Sequence, residues 1–132
     1  MTEKTDPGEG PFRLRGDRYE DDRLAGLMDA MYSFAQQHGM VLKPRYNVDP
    51  TWHFLWNDRG VDRHVQLHIG QLHTSVELRI SAMAWRDEPS RNRRFVGHPR
   101  RYLLIMPVEE DVFLETMEMS RRDALSLEVP SE

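Results

Sequence analysis

The sequence predicts an α+β domain: an N-terminal helix, an antiparallel meander of about four strands and a C-terminal helix, with the helices packed on one sheet face. Three observations carry that expectation. Apolar residues recur at helical spacing between Asp21 and His38, apolar and polar residues alternate from Thr51 to Trp85, and a second helical pattern follows Pro107.

The 132 residues are the size of one domain. That is enough chain to bury a core without a metal or disulfide staple. With 39% hydrophobic and 30% charged residues the composition is polar but not that of a disordered chain. A net charge of −4 argues against a dedicated nucleic-acid binder, whose domains carry a basic excess. The absence of cysteine excludes disulfides, thiolate catalysis and cysteine-held zinc or iron–sulfur centres. The N-terminus has no apolar signal-like stretch, and no apolar run approaches the ~18 residues of a membrane span, so the expected setting is cytoplasmic with no membrane contact. Sixteen arginines against two lysines fit a GC-rich, bacterial coding bias.

Residues 1–16, with three glycines and two prolines, read as a flexible arm. The domain proper is expected over 17–127 and a flexible tail over 128–132. Leu24, Leu27, Met28, Met31, Phe34 and Ala35 make one helical stripe, acidic residues precede it, and Gly39 follows as a stop. Pro44 and Pro50 restrict 40–50 to an edge strand or an irregular link. Residues 86–101 read as a long polar connection, and Tyr102–Met106 as a short buried strand. The second helix is expected from Pro107, with Glu109, Glu110 and Asp111 in its first turn and Arg121 and Arg122 in its last.

Turn chemistry suggests a register. A loop at Asp58-Arg59 sets Trp52 opposite Val65 and His53 opposite His64; a loop at Gly70-Gln71 sets Asp62 opposite Arg79, His64 opposite Glu77 and His68 opposite His73. One face then holds Trp52, Phe54, Trp56, Val65, Leu67, Ile69, Val76, Leu78, Ile80, Ala82 and Ala84, with Arg63 an unexplained intruder. The other face holds His53, His64, Gln66, His68, Glu77, Arg79, Ser81, Met83 and Trp85.

Three functional readings follow. A row of His53, His64 and Glu77 has the ligand types for zinc or ferrous iron, or for an oriented general base. The ordinary alternative is a polar face with a cross-strand pair, and nothing in the chain supplies a nucleophile, so no catalytic residue is assigned and no cofactor is expected. The connection carries Arg86, Arg91, Arg93, Arg94, Arg100 and Arg101, whose guanidinium forks suit an acidic protein segment, a phosphorylated ligand or RNA. RNA is disfavoured by the acidic total and the lack of a stacking pattern. Met83 and Trp85 lie at a strand end on the outer face, where exposed apolar side chains imply a partner or self-association.

Together these favour a small binding or adaptor module, forming homodimers and holding a protein partner by its outer sheet face and Arg-rich connection. A small metal-dependent or acid–base enzyme is the competing class.

Overall fold

Helix α1 spans Asp22–Gln37 in a computed structural model that describes residues 22–45, 51–72, 75–87 and 93–130. It buries Leu27, Met28, Met31, Phe34 and Ala35 of the stripe read from the sequence, with Ala30 beside them, while the burial of Leu24 lies outside the described residues. Gly39, at φ +66°, ends it: Gly39 N–H donates to Gln36 O (3.3 Å) and Met40 N–H to Ala35 O (2.8 Å). These two bonds make a Schellman stop, which requires the left-handed residue that glycine supplies.

Five strands follow: β1 (Val41–Arg45), β2 (Thr51–Asp58), β3 (Val61–Leu72), β4 (Ser75–Asp87) and β5 (Arg93–Ile105). They form one antiparallel sheet in sequence order, one strand more than expected. Helix α2 (Glu110–Ser126) packs with α1 against one face. Trp52, Phe54, Val65, Leu67, Ile69, Leu78, Ile80 and Ala82 from the sheet meet Phe34, Phe113, Met117 and Ala124 from the helices. Phe34 and Phe54 pack edge to face, with ring centroids 6.2 Å apart. No helix of the described residues is long and apolar enough to cross a membrane.

Both turns differ from the sequence expectation. The β2–β3 loop is Arg59-Gly60, because a tight hairpin of this kind wants two left-handed residues, and these have φ of 54° and 89°. Asn57 Oδ1 accepts from Gly60 N–H (3.1 Å) and ties the loop down. Phe54 therefore opposes Val65, His53 opposes Gln66 and Leu55 opposes His64. At the other end Gly70 does not turn the chain: β3 continues to Leu72, which opposes Ser75. Each correction moves the pairing by an even number of residues, so every side chain keeps its face while its partners change.

Residues 86–101 are not a connection. Most of them are the end of β4 and the start of β5, with Arg86 opposite Arg94 and Trp85 opposite Phe95. The expectation of a connection came from the polar, Arg-rich composition of the stretch. Between Ser81↔Arg101 and Met83↔Gly97 the strand bulges, so that His98, Pro99 and Arg100 span the room of Ala82. Proline, lacking a ladder donor, is tolerated at such a bulge on an edge strand.

Arg63 intrudes on the core face because it closes helix α2. Its Nη1 donates to the carbonyls of Ala124 (2.6 Å) and Leu127 (2.9 Å), and its Nε to Asp58 Oδ2 (2.9 Å). The guanidinium thus satisfies acceptors that the helix leaves open at its C-terminus. The helix begins at Glu110 rather than at Pro107 and runs past Arg121 and Arg122, whose bonds go to Glu118 instead. Beyond the helix, Val129 is buried against Val61 and Ala84, and Arg86 Nη2 donates to its carbonyl (3.1 Å). Val129, placed by the sequence in a flexible tail, is buried, and its neighbour Glu128 is exposed. The arm over 1–16 lies outside the described residues.

Candidate functional site on the outer sheet face

The outer face of β3, β4 and β5 carries the polar residues that the core does not need. Cross-strand rows place Gln66, Ser81 and Arg101 side by side, and His68, Arg79 and Leu103 in the next row. Neighbouring strands lie ~4.8 Å apart, so side chains in a row reach one another. Where β5 bulges away from Ala82, a groove of about 480 Å³ opens, lined by Gln66, His68, Arg79, Ser81, Met83, Gly97, His98 and Arg101.

Local structure aims several of these groups. Gly70, two residues along β3 from His68, has no side chain, and a Cβ there would lie 3.3 Å from the His68 imidazole. The glycine clears the place that the ring occupies. Arg79 is held by Glu77, whose Oε1 accepts from Nη2 (2.8 Å) and Nε (3.3 Å). Glu77 is buried whereas Arg79 is more than half exposed, so the pair points the guanidinium outward. His98 Nδ1 accepts the Arg100 N–H at 3.1 Å and lies 3.5 Å from Asp123 Oδ2, tying the bulge to α2. Tyr102 also donates to Asp123 (2.8 Å), and its phenol is pushed above the usual range, by burial first and then by that carboxylate.

The groove therefore offers two guanidiniums, two imidazoles, an amide and a hydroxyl. Its nearby carboxylates are Glu77, bound to Arg79, and Asp123, shared with Tyr102. Such a set supplies hydrogen-bond donors of the kind that suit an anion.

The histidine row is partly present. His53 Nδ1 and His64 Nε2 are 2.7 Å apart and their rings are 4.8 Å apart, although the two residues are diagonal neighbours rather than opposite ones. Glu77 is not with them, since it opposes Gly70 on the far end of β3 while His64 opposes Met83. Among the described residues no group of three His, Asp or Glu could hold a metal ion. His64 is 6% exposed and lies edge-on to Trp85, ring centroids 5.6 Å apart. Burial first, then His53, lowers its pKa to about 4. His64 is thus a neutral, buried imidazole beside a half-buried His53.

The other sequence candidates divide. Arg101 and Met83 line the groove. Trp85, expected to be exposed, is buried. Arg86 is committed to the Val129 carbonyl, and Arg100 is exposed with Nη1 3.4 Å from the Tyr102 hydroxyl. Arg93 and Arg94 pair along β5 with Asp87 and Arg86, while Arg91 and His73 lie outside the described residues. Sequence reasoning placed Gln66, His68, Arg79 and Ser81 on one face but did not assemble the groove, because the wrong turn set Arg79 beside Asp62 and Arg101 was read as part of a connection. A Gly-x-Pro pattern inside a basic run (Gly97-His98-Pro99) was the signal of a bulge.

No family model, curated protein or solved structure matches the chain.

Proposed function

We propose that this chain is a small cytoplasmic binding module that takes an acidic segment of a protein partner into the groove on its outer sheet face. The observation that carries the reading is the convergence of Arg79, Arg101, His68 and His98 around one open groove of about 480 Å³. Two further features support it. The opposite face is spent on the core, and Arg79 is oriented by a buried carboxylate rather than left to wander. A partner's Asp or Glu meets bidentate donors at either arginine, with Ser81 and Gln66 completing the hydrogen bonds.

The test is fluorescence anisotropy with a labelled Asp/Glu-rich peptide. Binding should weaken as salt is raised, and Arg101→Glu should cost roughly tenfold or more in affinity. Gly70→Ala, which pushes the His68 ring aside, should weaken binding several-fold with no charge change. A second peptide with phosphoserine in place of glutamate separates a phosphate preference from a carboxylate one. If neither peptide binds, or Arg101→Glu changes nothing, the reading is wrong.

A further inference from the structure

The two edges of the sheet are built differently. At one edge β1 is five residues long and contains Lys43 and Pro44, both of which obstruct pairing with another strand. At the other edge β5 is obstructed through its bulge at His98–Arg100 and ends before Pro107. Between those two breakers lies a regular window, residues 101–105, whose one charged side chain is Arg101 at its start and which holds no proline or bulge. Its Leu103 and Ile105 are 54% and 52% exposed.

The ladder fixes which backbone groups of this window look outward. Met106 N–H donates to Val76 O (2.9 Å), so residue 106 faces β4. Backbone direction alternates along a strand, so residues 104 and 102 face β4 as well. The N–H and C=O groups of Arg101, Leu103 and Ile105 therefore point away from β4, into the open edge. Among the described residues no strand pairs there.

We infer that this edge pairs with the same edge of a second copy, antiparallel and centred on Leu103, to form a homodimer with one continuous sheet. The window is its own complement. A two-fold axis at Leu103 sets Leu103 against Leu103 and Arg101 against Ile105, in each direction. All three outward residues then fall at hydrogen-bonded positions, where each exchanges both backbone bonds with its opposite number. An axis midway between two residues would put outward groups against inward ones, and an axis at Tyr102 or Leu104 would leave one of the three outward residues without an opposite number in the window. The pairing also keeps the arginines apart, since each Arg101 faces an isoleucine, and it gathers the four exposed apolar side chains into one patch. Because Arg101 lines the groove, Ile105 of the second copy becomes part of that groove's rim. The inference rests on backbone direction and apolar exposure, so it stands or falls separately from the anion reading.

The full-length chain should sediment with a twofold rise in mass between micromolar and near-millimolar concentration. Leu103→Lys puts like charges directly across the axis and should hold the protein monomeric throughout that range. Its thermal midpoint at low concentration should match that of the natural chain, because Leu103 is exposed. The absence of cysteine gives a second test. Leu103→Cys should form a disulfide-linked dimer roughly tenfold or more faster than Val41→Cys, which sits on the other edge at similar exposure (56%). A chain that stays monomeric, a Leu103→Lys variant that still dimerises, or equal cross-linking at the two edges would each overturn the proposal.

Discussion

His64 is an imidazole that the fold keeps neutral. It is packed against Trp85, its Nδ1 is buried without a hydrogen-bond partner, and its other nitrogen meets His53. The sign of the consequence follows from linkage. A folded pKa of about 4, below the ordinary value of 6.5, means that the unfolded chain binds the proton more readily. His64's contribution to stability is complete above about pH 6.5 and is lost as pH falls toward 4. Between pH 7 and pH 5 the loss should be about 2 kcal/mol in urea melts, and His64→Gln should flatten most of it. Glu118 does not confound that window. Its pKa is held at about 2, chiefly by hydrogen bonding to Arg121, so its contribution is lost only as pH falls from 4.5 toward that value. Arg63 makes the opposite case, a charge buried because it is fully used. Arg63→Ala should destabilise by about 2–4 kcal/mol, and Arg63→Lys should recover only part, because an ammonium lacks the fork that spans Asp58 and two carbonyls.

At the scale of elements the hairpin turns decide the register, and one of them is imperfect. Arg59 sits at φ 54°, where asparagine is better tolerated than a long side chain. Arg59→Asn should raise the unfolding free energy by about 0.5–1 kcal/mol, provided that Arg63 alone suffices for Asp58; calorimetry would show it. The sequence resolved the faces of the sheet well and their pairings poorly, for one physical reason. Side-chain alternation has period two, so the burial of Trp52, Phe54, Leu67 and Ile80 constrains parity but not position along the partner strand. Position is set by loop conformation, and glycine reports that ambiguously. Gly60 takes the left-handed turn, whereas Gly70 lies inside β3 and serves His68. Strand β5 was missed in its first half because a bulge with Gly97 and Pro99 has the composition of a loop.

For the whole molecule, α1 and α2 close one face over the sheet, and the proposed binding groove lies on the other. Phe113, fully buried at the centre of that closure, is the clearest single support: Phe113→Ala should cost about 3–5 kcal/mol. The same variant should leave peptide affinity per folded molecule unchanged, since Phe113 lies on the far side of the sheet from the groove. The α+β architecture and the stripe of α1 were legible from periodicity alone. The groove was not, because it depends on which residues of β3, β4 and β5 share a row.

The Arg63 latch also orders events in time. Its acceptors, the Ala124 and Leu127 carbonyls, lie 61 and 64 residues further along the chain. On the ribosome the β2–β3 hairpin can form as soon as its strands emerge. Its buried guanidinium has no helix end to close until Leu127 has cleared the exit tunnel. Until then the hairpin must keep Arg63 in water, with the core face beside it uncovered. A nascent chain held by a C-terminal extension too short to bring Leu127 out of the tunnel should therefore remain protease-sensitive across β3, and one held by a longer extension should not.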